Sequence, residues 1–308
     1  MAFANGAGTR VAWVQEASYG VTPATPSFDI LRVVSSTLRT NKATGVSDEL
    51  QADRNIRDEF QLGQRTSGNL EFELSRGSMD KLLAHALCSS WSTDVLVNGV
   101  DYRTATIEET YELGATDSFS RFVGQSIDSI SFDVTAEQVV KGSMALVGKR
   151  EVVAEAPIAG ATYAAPNTNP VLTASAHVGS LSFGADGTAA LRRVQIEIKN
   201  NTRPRPVVGD LYSAEMGQGR FDVTGRIEAY FANGALYQKM LDHETSDLSF
   251  KVGAVANERY RFNLPKLQML DGERTPRRND QDVMVNIPFR GVYAVAQAGS
   301  IQITRNAA

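Results

Sequence analysis

Catalysis and metal binding need side chains that converge, and the groups in this sequence that could do chemistry are scattered. The three histidines, His85, His177 and His243, lie far apart and none belongs to an H-E-x-x-H run. His85 and His243 stand near predicted helix ends, where a surface or capping role is the simpler reading. Cys88 is the only cysteine, so neither an internal disulfide nor a multi-cysteine zinc site can form. It follows Leu87 on an apolar helix face and reads as a buried, inert thiol. Gly217-Gln218-Gly219 lacks a third glycine and opens a strand, so it reads as a turn, and no G-x-S-x-G elbow or Gly-Lys-Ser/Thr loop is present. Asp280 and Asp282 beside Arg274, Arg277 and Arg278 have the composition of a cation or phosphate site, but a polar hairpin tip explains them equally simply. No two of the 35 acidic residues are marked as a glycosidase pair. The expectation is a non-enzyme that needs no metal and no cofactor.

The elements that would position such groups follow two periods. Phe221, Val223, Gly225, Ile227, Ala229 and Phe231 alternate with polar residues, the pattern of a half-buried strand. Gly68–Leu74, Val140–Leu146 and Val283–Phe289 repeat it, and further strands are predicted at Arg10–Gln15, Tyr102–Glu112, Ser126–Val134, Leu248–Val252, Tyr260–Leu264 and Ser300–Thr304. Asn98-Gly99 carries a tight-hairpin signal. Met79, Leu82, Leu83, Ala86 and Leu87 recur at helical spacing with Ser78 as a candidate cap, and Ala235–His243 has a similar stripe after Asn233-Gly234.

Much of this pattern occurs twice. Gly68–Ala86 lies over Gly225–His243 at an offset of 157, with Gly68, Glu71 and Gly77 matching Gly225, Glu228 and Gly234. Ile30–Asn41 lies over Ala190–Asn201 at an offset of 160, so Leu31, Arg32, Val34, Leu38 and Asn41 meet Leu191, Arg192, Val194, Ile198 and Asn201. The fold class expected is mainly β: two tandem copies of an antiparallel, sandwich- or barrel-forming unit, each with one flanking α-helix. Copy one spans residues 1–153 and copy two 171–308. The Ala- and Pro-rich stretch 154–170 between them has no period and reads as an extended linker.

A long charged segment joins the matched blocks in each copy. The first carries Asp48, Glu49, Asp53, Arg54, Arg57, Asp58 and Glu59; the second carries Arg203, Arg205, Asp210, Glu215 and Arg220. Segments of this length inside a compact domain are functional or unstructured, and the reading adopted is an arm that reaches another subunit. With 308 residues, 42% hydrophobic and 21% charged, the chain has room for two cores. A net charge of -4 argues against a protein that grips phosphate backbones through excess Lys and Arg. No apolar window of about 18 residues predicts membrane insertion, and MAFANGAGTR lacks the pattern of a secretion signal, so assembly in the cytoplasm is expected.

The opening VAWVQEASYGVTPATP, followed by Phe28 and ILRVVSS, resembles that of the tail tube proteins of long, non-contractile-tailed bacteriophages. Glu16, Tyr19, Gly20, Thr22, Pro23, Ala24, Thr25, Pro26, Leu31 and Arg32 carry the resemblance. It implies a virion structural subunit polymerised as stacked rings around a channel for double-stranded DNA, with the early loop contacting the next ring. Implied partners are the chain itself, tape-measure protein and DNA transiently in the lumen, and tail terminator and tail-tip proteins. Many members have one copy of the unit and form hexameric rings, so two copies here point to a trimer with pseudo-sixfold symmetry. A terminator or neck protein of the same fold, and a carbohydrate-binding sandwich presenting an aromatic platform, are the alternatives.

Overall fold

Alternating apolar and polar residues commit about half of the chain to β-strands. The computed structural model describes residues 3–114, 116–183, 190–231, 234–253, 255, 258–275 and 279–307. Strands β1 (Thr9–Gln15), β2 (Ser27–Ile30), β3 (Ser35–Ser36), β4 (Arg39–Val46) and β5 (Glu59–Glu73) lead into helix α1 (Asp80–Ala86). Then come β6 (Val95–Val97), β7 (Ala105–Tyr111), β8 (Ser118–Thr135), β9 (Lys141–Gly148), β10 (Arg150–Ala154) and β11 (Thr162–Ala164). A short α2 (Ala174–His177) precedes β12 (Val178–Phe183), β13 (Leu191–Lys199), β14 (Arg203–Pro206), β15 (Ser213–Gly217), β16 (Asp222–Tyr230) and helix α3 (Ala235–Leu241). The chain continues with β17 (Thr245–Val252), β18 (Arg259–Met269), β19 (Glu273–Thr275), β20 (Met284–Gly291) and β21 (Gln302–Ala307).

One layer runs through both halves of the chain in the antiparallel order β4–β5–β9–β8–β13–β16–β20–β19. The second layer is split. Strands β2, β1, β7, β8 and β10 form one part, and β12, β17, β18, β21 and β6 the other. Strand β8 serves both layers, because its first residues pair with β7 and β10 and its last with β9 and β13. The bend falls at Gly124, whose φ of +70° and contact with the Tyr19 ring leave no room for a Cβ. Strand β18 crosses similarly, from β21 to β20.

Between the layers lies a core that both halves share. Phe72 meets Phe132 edge-on at 6.1 Å, Phe132 meets Phe262 at 5.1 Å, and Phe262 stacks on Phe250 at 5.3 Å. Helix α1 buries Leu82, Leu83 and Ala86 with Met79 and Leu87, as its spacing predicts.

The fold is mainly β, and its strands form one large mixed sheet: β13 continues the ladder of β8, β6 pairs with β21, and β11 lies parallel to β2. Within the stretch 154–170, β11 pairs with β2, and Arg32 donates to the carbonyls of Asn167 and Asn169 at 3.4 and 2.5 Å. Leu31 and Arg32 lie between β2 and β3. Asn98-Gly99 does not join a tight hairpin, because Asn98 Oδ1 accepts from the Ser300 and Ile301 amides at 2.8 and 3.3 Å and β6 takes β21 as its partner. Ser78 does not cap α1; its hydroxyl donates to the Ser75 carbonyl, and Asp80 supplies the acid of the first turn.

Candidate functional site

The side chains that could react are put to structural use. His85 is buried, edge-on to Trp13 at 4.9 Å, and not at the surface as expected. Burial, then the charge of Arg103, lowers its pKa to about 4 despite Asp101. Burial also pushes the Cys88 thiol up to about 11, which keeps it protonated and unreactive. The side chain of His177, residues Arg277 and Arg278 of the Asp280–Asp282 cluster, and Asn233 lie outside the described residues. Among the described residues no three His, Cys, Asp or Glu side chains could hold a metal ion, and no helix is long and apolar enough to cross a membrane. Trp13 is buried and the Trp91 ring nitrogen donates to the Asp80 carbonyl, so neither offers an aromatic platform.

The proline-rich opening is a node inside the molecule. Glu16 is buried and accepts four hydrogen bonds: from Thr104 Oγ1 at 2.7 Å, and from Thr106 Oγ1 and the amides of Gly20 and Gly124 at 2.8 Å each. Those donors are what make a buried carboxylate tolerable. Gly20, at φ +70°, allows the turn that aims its amide back at Glu16, and Lys149 fills the space where a Cβ would stand. The Tyr19 hydroxyl meets Ser213 Oγ at 2.6 Å, tying the opening to β15, and Thr22 bonds Thr106 at 2.8 Å. Pro23 lies in the connector, and the Pro26 carbonyl accepts from Thr162 where β11 joins β2.

The outward face of the continuous layer is a polar wall around a depression of about 590 Å³. Strand alternation puts Glu71, Lys141, Asp133, Arg193, Glu197 and Arg226 on this face, and charges of opposite sign meet across it. Arg193 Nε donates to Asp133 at 3.0 Å, while Thr135 and Gln195 add bonds of 2.7 and 3.2 Å. Burial pushes the Asp133 carboxyl up, but these bonds and the Arg193 charge outweigh it and hold it below the usual carboxylate range. Lys199 meets Glu197 at 3.0 Å, Arg290 meets Asp222 at 3.2 Å, and Arg192 meets Glu228 at 3.6 Å.

Two arms leave this layer. The expected long loops are largely strands. Strands β4 and β5 form one hairpin, from Arg39 opposite Ser67 to Val46 opposite Glu59, leaving only residues 47–58 irregular. There Asp48, Glu49, Asp53, Arg54, Arg57 and Asp58 are exposed, as is Glu59 at the start of β5, and Asp53 pairs with Arg57. The charge pattern concealed a second feature of this arm: Leu50 is fully exposed, with Ile56 at 72% and Leu62 at 62%. Strands β14 and β15 form the second arm, with Arg203 and Asp210 exposed and Arg205 paired to Glu215. Its turn lies against the base of the first arm, where Gln64 donates to the Leu211 carbonyl at 2.8 Å.

A chain whose buried polar groups serve packing, and whose exposed features are a wall, strand edges and arms, has the makings of a structural building block. A family model described as phage tail tube protein matches residues 6–291, and the chain belongs to that family. It is thus a structural component of the virion tail and not an enzyme, in a family that implies self-polymerisation. No curated protein matches it.

Proposed function

We propose that the chain forms the tube of a long, non-contractile tail as stacked rings of three subunits, with the polar wall turned towards the DNA channel. The observation that carries this is the continuous layer: eight strands, apolar on the side facing the second layer, polar on the other, and unpaired at the outer edges of β4 and β19 among the described residues. Eight strands from each of three chains make a barrel of 24, beyond the roughly 16–18 strands at which barrels leave an aqueous channel. Closure would also remove the exposed edges.

Tandem duplication, with units at 1–153 and 171–308 joined by 154–170, is supported by the pairing order. Strands β1–β7–β8–β9–β5–β4 succeed one another as β12–β17–β18–β20–β16–β13 do. In each series a helix follows the strand in the fifth place. The two arms grow from equivalent corners and would engage the neighbouring ring. Tape-measure protein and DNA would occupy the lumen transiently, with terminator and tail-tip proteins at the tube ends. A cross-section image of assembled protein tests the reading: three chains around the axis with six similar wall segments is the expected result. Six chains per ring would remove the trimer, single rings that never elongate would indicate a terminator, and a protein that stays monomeric would remove the assembly reading.

A further inference from the structure

The joint between the halves is a template for a joint between molecules. Strand β13 begins the wall strands of the second half as β4 begins those of the first, and within the chain it pairs antiparallel with the far end of β8. The position of that β8 segment, on the far side of β9, is held in the second half by β19, on the far side of β20. We propose that one chain joins the next by repeating this joint, with the outer edge of β4 lying antiparallel to the outer edge of β19 and Arg39 directly opposite Glu273. This rests on the ring reading above and names the surfaces that would close the ring.

Strand register fixes the pair. In the internal joint Glu197 stands opposite Ser131. Glu197 is also paired with Thr224, which stands 157 residues after Ser67, the partner of Arg39. Ser131 is paired with Ser143, four residues before Val147, the partner of Ser67 on β9. Asn286, the partner of Glu273, is likewise four residues before Arg290, the partner of Thr224 on β20. By backbone pairing Arg39 therefore occupies the place of Glu197, two residues before the Lys199 that the sequence offset of 160 gives, and Glu273 occupies that of Ser131.

The two side chains are chemically suited to stand opposite each other. Arg39 and Glu273 are oppositely charged and both exposed, and neither makes an ion pair in its own chain among the described residues. Directly opposed charges of opposite sign stabilise an antiparallel pair, and like charges there oppose it. The occupant is a second copy of this chain, because the complementary edge is its own.

Paired cysteines test the joint. Within one chain the two edges are separated by seven strand spacings, roughly 30 Å, far beyond the reach of about 7 Å between Cα atoms that a disulfide allows. A bond between positions 39 and 273 must therefore link two molecules. In a chain carrying Arg39→Cys and Glu273→Cys, mild oxidation of the assembled protein should give a closed covalent species of three chains on a denaturing, non-reducing gel. Neither single variant should give it. Normal rings without cross-links, or cross-linking only when Arg39→Cys is combined with Asp271→Cys, would overturn the proposed register. A closed six-chain species would keep the joint and remove the trimer. Should the double-cysteine chain fail to assemble, Arg39→Glu decides: it should block ring formation and Arg39→Glu with Glu273→Arg should restore it. Unimpaired rings from Arg39→Glu, or no rescue, would overturn the joint.

Discussion

The wall and the first arm are both exposed and both rich in charge, yet they differ in what they lack. On the wall, Arg193, Lys199 and Arg290 each meet a carboxylate of the same chain. On the arm, Leu50, Ile56 and Leu62 present most of their apolar surface to solvent. The lesson concerns how a surface advertises its role. Cations already paired to carboxylates have little to offer a passing phosphate, whereas uncovered apolar side chains on a hairpin gain free energy only when something covers them.

The hardest way to break this contrast is to remove the arm's tip. Deleting Ser47 to Glu59 should leave a folded subunit that forms rings and does not elongate, as seen by electron microscopy and sedimentation. Normal tubes would show that the tip plays no part in stacking. A gentler version changes Leu50→Asp and Ile56→Asp together. Burying each aliphatic side chain is worth about 1.5–3 kcal/mol, so the concentration needed for elongation should rise at least tenfold while the melting temperature stays put. An unchanged threshold would mean that the exposed leucine and isoleucine are not buried on assembly.

How much of this was legible in the sequence differs from element to element. The face of α1 and the alternation in β16 and β20 were readable because one side of each is apolar and the other polar. The first part of β8 was not, because it is buried on both faces: Arg121 bonds buried Glu108 at 2.7 Å and Gln125 bonds buried Thr66 at 2.7 Å. A strand with polar partners on both sides has no period two to detect. Composition marked the arms as charged segments, but a leucine in a charged run carries no sign of exposure until the hairpin is seen. Glu16 shows the same limit from the other direction. The motif around it was recognisable, yet its donors Thr104, Thr106 and Gly124 come from distant sequence, so its part as an internal node depends on tertiary contacts.

The wall can be tested from its own side with Asp133→Asn, which removes a charge that holds Arg193 in place. Assembled tubes of this variant should retain double-stranded DNA more strongly than the parent at low salt. The difference should vanish as salt rises, since phosphate binding by a freed cation follows counterion release. Equal retention at low salt would mean that Arg193 does not reach the channel, or that other carboxylates satisfy it.

The smallest effect is on stability, and its pH dependence has a definite sign. The Asp133 carboxyl is held below the usual range in the folded chain, so the stability it contributes is present above the unfolded value, near pH 3.9. That contribution is lost as pH falls through the folded value. Because both partners are about a third exposed, solvent limits it to no more than about 1 kcal/mol. Denaturant midpoints of the parent and of Asp133→Asn should therefore differ by a small constant amount from neutral pH down to about 5 and converge below about 4. A gap that widens on acidification would have the wrong sign for a carboxylate stabilised in its charged form, and would remove Asp133 from the account of how the wall is neutralised.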